Sequence, residues 1–229
     1  MTKAPPTVSV IPTADLPATA ATMIIDLLNQ ILARQPQASL ALAGGSTPAA
    51  IYRILAQRAS AVDWRRIVIC FGDERCVPPD HGDSNYAMAH DSLLRHLPQP
   101  PAAIHRMAGE DRDPAAAARR YAALLPQPLD LLLLGLGEDG HTASLFPGDP
   151  ILDHHPDAVA AVIGPKPPPQ RLTITPPVIT GAHRIVVVAQ GSAKTAAVAA
   201  ALAPQGDIHH TPARLARHGT WLIDPAAAG

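Results

Sequence analysis

The sequence predicts an α/β fold in which a mostly parallel sheet is covered by helices on both faces. Short apolar strands alternate with helical patterns along the whole chain. Several of those strands are apolar at nearly every position, as strands buried on both faces must be. Glycine-rich turns follow some of them, at the strand ends where such sheets hold ligands.

Taken in order, TAATMIIDLLNQILARQ (19–35) has apolar residues at helical spacing and is expected to be the first long helix. SLALAGG (39–45) reads as a strand. STPAAIYRILAQ (46–57) reads as a helix, with Ser46 or Thr47 able to cap it and Pro48 suited to its first turn. RIVICFGDE (66–74) is a strand, RCVPPDHGDSN (75–85) a loop, and YAMAHDSLLRHL (86–97) a helix introduced by Asp83 or Ser84. The helix DPAAAARRYAALL (113–125) leads into the strand LDLLLLGLG (129–137). DAVAAVI, RLTIT and RIVVVAQG add strands, SAKTAAVAAAL (192–202) a helix, and TWLID (220–224) a last strand. With no internal repeat and no linker, the expectation is one Rossmann-like domain over residues 1–229.

Composition narrows the function. Apolar residues make up 47% and charged residues 16% of the 229, with a formal net charge of −1. No basic cluster or aromatic-interleaved Lys/Arg stripe is present, so nucleic-acid binding is not expected. The opening MTKAPPTVSV lacks a signal-peptide core, and no run approaches ~18 apolar residues. A cytoplasmic protein with a small-molecule partner and no membrane association is expected. The two cysteines match neither a zinc knuckle nor a C-x-x-C pair. Cys70 reads as a core residue; Cys76 follows Arg75, which could lower its pKa. His154–His155 and His209–His210 show no ligand spacing, and no metal site is expected.

Gly135, Gly137 and Gly140 satisfy the G-x-G-x-x-G spacing of a dinucleotide-binding turn, but the context fails. Glu138 and Asp139 would repel a pyrophosphate, and Pro147 and Pro150 leave little room for the helix that should receive it. What remains is a turn that presents Glu138, Asp139 and His141 together at a strand's end. A histidine beside carboxylates can act as a general base near neutral pH, and a carboxylate partner sets its tautomer.

Three other stretches stand at strand ends or starts. In AGGSTP (43–48), two glycines free the backbone, and the Ser46 and Thr47 hydroxyls join helix-start N–H groups, which suits a phosphate. In FGDER (71–75), Arg75 could steady a substrate while Asp73 orients a neighbour; an Asp73–Arg75 ion pair of purely structural use is the alternative. Arg171 opens RLTIT, and Lys194 falls in the first turn of its expected helix, where the dipole disfavours a cation unless an anion is near. No G-x-S-x-G elbow occurs, so a serine nucleophile is not expected, and Ser144 gains no such role.

Together, AGGSTP, FGDERCVP…DSNY, LLLLGLGEDGHTASLFPG, RLTIT and GSAK resemble the 6-phosphogluconolactonases, in the order expected for that family, over residues 43–196. The resemblance implies the fold of glucosamine-6-phosphate deaminases and ribose-5-phosphate isomerases. It also implies hydrolysis of 6-phospho-D-glucono-1,5-lactone in the oxidative pentose phosphate pathway, with no cofactor; a monomer or weak homodimer is expected. By similarity, Gly44, Gly45, Ser46 and Thr47, with Arg171 and Lys194, would hold the 6-phosphate. His141 would activate water, and Asp73, Arg75 and Asp139 would lie around the lactone end. Arg75 and the backbone N–H groups of 137–140 are both candidates to stabilise the oxyanion. A deaminase or isomerase on the same scaffold is less favoured, because SLFPG stands where that family typically continues with Asn-Glu-Pro. A non-catalytic sensor would need a DNA-binding module, and the residues before SLALAGG read as one helix.

Overall fold

Leu16, Ala20, Ile24 and Leu28 recur every four residues and are all buried, which defines the inner face of the first helix. This helix, α1 (Leu16–Leu32), starts and ends three residues earlier than the sequence suggests. Pro17 sits in its first turn, where a missing N–H is harmless, and Pro36 disfavours a helical Gln35. The structure, a computed structural model, describes residues 5–153 and 155–229; His154 and the first four residues of MTKAPPTVSV lie outside the described residues.

Seven parallel strands form the main sheet: β1 (Thr7–Val10), β2 (Ala38–Leu42), β3 (Ile67–Phe71), β5 (Ala103–Ile104), β6 (Leu131–Gly135), β9 (Arg184–Ala189) and β10 (Thr220–Ile223). Their spatial order is β1-β10-β9-β6-β2-β3-β5. Alternate residues of one strand supply opposite faces. Leu131 and Leu133 pack with α1, α2 (Ser46–Gln57) and α3 (Asn85–Ser92). Leu132 and Leu134 pack on the other face with α4 (Pro114–Ala122), α5 (Pro176–Gly181) and α6 (Thr195–Leu202). Both sets are buried, which explains the unbroken LLLL run; each such leucine contributes roughly 1.5–3 kcal/mol by leaving water. The short helix α7 (Pro225–Ala228) closes the chain, capped by Asp224, which accepts from Ala227 N–H.

RIVICFGDE is not one strand. The chain changes sheets at Gly72: its N–H donates to Leu42 of β2, and its carbonyl accepts from Ile174 N–H. The next residues form β4 (Asp73–Arg75), which pairs antiparallel with β8 (Gln170–Ile174). β8 in turn pairs antiparallel with β7 (Val159–Ile163). DAVAAVI and RLTIT are therefore strands, as expected, but of a separate three-stranded sheet. The four short elements β1, β5, α5 and α7 have no counterpart in the sequence reading, being too brief for a periodic signal.

After β2 the chain builds outward through β3 to β5, and after β6 it builds the other way through β9 to β10. The strand order therefore switches between β2 and β6, and a crevice is expected beyond their carboxyl ends. The strands part there, because β6 pairs with β2 only at Leu40 and Ala41. The buried Tyr52 hydroxyl meets the freed backbone, accepting from Ala43 N–H at 2.9 Å and donating to Ala43 C=O at 2.8 Å. Tyr121 does the same for Phe71, at 2.8 and 2.9 Å, where β5 has left β3. Burial pushes both phenols up, so both stay protonated and able to donate.

Candidate active site

A cleft of about 210 Å³ lies at that switch point. Ala43 to Gly45 line it from the end of β2, Leu133 to Gly137 from β6, and Asp73 and Arg75 from β4. Asn85, His141, Arg171 and Lys194 are also part of the wall. Ser46 and Thr47 are outside this lining, at the exposed to half-buried rim.

The turn after β6 shows what its glycines are for. A Cβ on Gly137 would lie 1.9 Å from His141 Nδ1, so glycine at this position lets the imidazole sit directly on the backbone. Gly137 N–H donates to His141 C=O at 2.8 Å, and Gly140 N–H to Gly137 C=O at 3.1 Å, which closes the turn. No helix follows; only a single 3-10 turn at Pro150–Leu152 does, as the two prolines suggest. Asp139 Oδ1 stands 2.5 Å from His141 Nδ1 and accepts from His141 N–H at 3.2 Å. The carboxylate thus favours the tautomer with hydrogen on Nδ1, leaving Nε2 as the basic nitrogen. Burial would raise the Asp139 carboxyl, but donation and charge from His141 outweigh it and hold the group below its usual range. Glu138 separates from this pair; its carboxylate is 4.0 Å from Lys194 Nζ.

Asp73 and Arg75 do not pair with each other. Asp73 accepts from Asn85 Nδ2 at 3.0 Å and from Ser144 Oγ at 2.6 Å. Ser144 is fully buried and committed to this bond. Between them, Glu74 is buried at the start of α3, accepting from Asn85 N–H, Tyr86 N–H and Ser84 Oγ. Burial pushes its carboxyl up despite these donors. Ser84, one of the two expected caps, closes α3 by accepting from Ala87 N–H.

Arg75 and Arg171 are direct partners across the β4–β8 pair, an unfavourable juxtaposition of like charges. Burial lowers the Arg171 pKa, and the Arg75 charge lowers it further. Arg171 Nε and Nη2 donate to the carbonyls of Pro168 and Lys166 at 3.1 and 3.3 Å. Arg75 Nη1 donates to Asp83 C=O at 2.5 Å, while its buried Nε has no hydrogen-bond partner. Lys194 ends a 3-10 turn, Ser192–Lys194, and immediately precedes α6 rather than lying within its first turn. Gly191, with a φ of 94°, starts that turn; its N–H donates to Asp224 at 2.9 Å.

Neither Ser46 nor Thr47 caps α2. Gly45 holds the cap position at a φ of 104°, no side chain bonds the helix start, and the two hydroxyl residues lie in the first turn. The dipole and the Ser46 and Thr47 N–H groups are therefore available to an anion at the cleft rim. Cys70 is core, its thiol pushed up to about 12 by burial. Cys76 is also raised, by burial and then by Glu74, which overrides any lowering by an arginine. Among the described residues no group of three or more His, Cys, Asp or Glu is placed to hold a metal. No helix among them is long and apolar enough to cross a membrane.

A family model described as glucosamine-6-phosphate isomerases/6-phosphogluconolactonase matches residues 12–223. The 6-phosphogluconolactonase of Synechocystis sp. is 37% identical over 213 residues, covering 87% of this chain and 87% of that protein. The crystal structure of 6-phosphogluconolactonase from Leishmania guyanensis is similar with a TM-score of 0.85 at 28% identity, covering 97% of each chain. A monomeric glucosamine-6-phosphate deaminase of solved structure reaches a TM-score of 0.84 at 25% identity, covering 97% of this chain and 98% of its own.

Proposed function

The chain belongs to the family of glucosamine-6-phosphate isomerases and 6-phosphogluconolactonases, and on that premise we propose that His141 drives the hydrolysis of 6-phospho-D-glucono-1,5-lactone to 6-phosphogluconate. The observation that carries the reading is one cleft shared by a carboxylate-held histidine and three cations. A phosphorylated lactone needs both: cations for the phosphate, and a base beside the carbonyl.

Arg171, Lys194 and the uncapped start of α2 hold the phosphate, with Gly44 and Gly45 giving the backbone access. Its negative charge relieves the Arg75–Arg171 repulsion and displaces Glu138 from Lys194. His141 Nε2 takes a proton from water as the oxygen attacks the lactone carbonyl, and Asp139 stabilises the imidazolium. The negative charge then develops on the carbonyl oxygen. Arg75 is the better oxyanion donor, because its Nε is buried without a partner, whereas the Gly137 and Gly140 N–H groups are already used within the turn. Collapse breaks the ring C–O bond, and His141 returns its proton to the leaving ring oxygen. Asp73 acts at one remove by fixing Asn85 and Ser144.

The same scaffold serves the deaminase named above, but Phe146 occupies the SLFPG segment where that chemistry would want a carboxylate. We read residues 1–229 as one domain, since the family match runs almost end to end, acting in the cytoplasm as a monomer or weak homodimer.

The test is a lactonase assay on freshly generated substrate at slightly acidic pH, against the spontaneous rate. Wild type should accelerate hydrolysis and His141→Ala should lose about 10²–10⁴ of kcat. No acceleration by wild type would reject the activity; full activity in the variant would reject the base.

A further inference from the structure

Phe146 links two hollows. It lines an open groove of about 770 Å³ with Ile151, His155, Val162 and Gly164 among others, and it packs against His141 and Arg171, which line the cleft. The ring is almost fully buried and carries no polar atom, and its surroundings are unusually specific. The His141 imidazole stacks on it at 4.9 Å between centroids with a 43° tilt. The Arg171 guanidinium lies over it at 5.9 Å. On the groove side, a Cβ on Gly164 would stand 2.7 and 2.8 Å from ring atoms Cε2 and Cζ, so the ring edge uses space that only glycine leaves.

Gly164 is not free to retreat. Its N–H donates to Pro169 C=O at 2.7 Å, and Arg171 ties the same β7–β8 connection through Pro168 and Lys166. A side chain at 164 must therefore displace the Phe146 ring, against which the imidazole packs. Asp139 fixes only Nδ1, and Gly137 supports the imidazole from beneath. The orientation of the imidazole plane needs a third point of contact, and Phe146 supplies it.

From this geometry we infer that Phe146 and Gly164 are positioning residues for the reaction: Gly164 sets where the Phe146 ring stands, and the ring sets the direction of His141. The inference rests on His141 being the base. Neither residue touches the reacting atoms, so their effect falls on kcat. The added methyl would be 3.5 Å from Arg171 Nε, an ordinary contact, and Arg171 stays tied to Pro168 and Lys166 when the ring moves, so the phosphate grip need not move.

The experiment is a double-mutant cycle on the full chain with Gly164→Ala, Phe146→Leu and the pair, reading kcat, KM and Tm. Ile163→Ala, at an exposed neighbour, is the control. Gly164→Ala should lower kcat about ten- to a hundredfold, the scale of an ångström-sized misplacement, and leave KM within about twofold. Phe146→Leu should lower kcat likewise. The pair should be no worse than Phe146→Leu alone, because the shorter side chain lacks the ring atoms that the new methyl strikes. Ile163→Ala should match wild type.

An active wild type with unchanged kcat in Gly164→Ala, or effects that multiply in the pair, would overturn the inference. A uniform rise in KM with kcat retained would overturn it too. If Gly164→Ala does not fold, Phe146→Leu decides alone: unchanged kcat rejects the role. An inactive wild type would instead overturn the functional reading beneath it.

Discussion

Asp139 and His141 are two residues apart in one tight turn, and their side chains meet at 2.5 Å between Oδ1 and Nδ1. A pair this local fixes the Nδ1 end of the imidazole within the turn itself. The depressed Asp139 pKa gives it a pH signature. Stabilisation by a carboxylate with a lowered native pKa is present above the unfolded value of about 3.9 and is lost as pH falls through the native value. Asp139→Asn should therefore lower Tm near neutral pH, and the gap to wild type should close below about pH 4. Its kcat should fall at least about tenfold, since the tautomer is no longer imposed. Calorimetry across pH 3–7 checks the first point, and a gap that widens towards acid would contradict it.

Lys194→Ala should raise KM about tenfold or more with kcat within a few-fold, as the proposed phosphate grip, equal before and during the reaction, requires. Glu138→Gln, which removes the competing carboxylate 4.0 Å away, should shift KM the other way. Steady-state kinetics decide, and a kcat loss in Lys194→Ala with unchanged KM would assign the lysine to the chemistry instead.

Ser144→Ala should keep turnover within about tenfold of wild type, since the hydroxyl serves Asp73 rather than the lactone. A serine nucleophile would lose about three orders of magnitude or more on the same change. The measurable cost should fall on stability, about 1–3 kcal/mol, because Asp73 is left with a missing buried partner.

Tyr52→Phe removes the hydroxyl that satisfies both Ala43 N–H and C=O. Two buried backbone groups then lack a partner, at a cost of about 1–3 kcal/mol each. Because Ala43 adjoins Gly44 and Gly45, KM should rise as well. Tyr121→Phe should destabilise comparably, and chemical denaturation compares the two. A stability unchanged in both would mean that water replaces the hydroxyls.

The main sheet was legible because burial on both faces leaves unbroken apolar runs, and LLLL in β6 is the clearest of them. The His141 turn was legible because glycine and charge crowd the end of that run. RIVICFGDE misled for a physical reason: the hydrophobic pattern continues to Phe71, but the change of sheet happens in hydrogen bonding at Gly72, which leaves no compositional mark. The face-to-face placement of Arg75 and Arg171 depends on that change and on a partner almost a hundred residues away. Glu74 drew no role of its own from the sequence, yet it is buried to receive the start of α3. Phe146 is a lone aromatic in a proline-rich loop, and only coordinates reveal what it leans on.

Gly72 has a consequence for how such a site can diversify. The two jaws of the cleft belong to different sheets, with the α2 start on one and Arg75 and Arg171 on the other, and a single residue, Gly72, is bonded into both. The distance the substrate must span is thus set by how one small sheet is tilted against a large one. Substitutions beneath β7 and β8 could recalibrate that span for a longer or shorter sugar phosphate while the leucine-packed frame stays as it is.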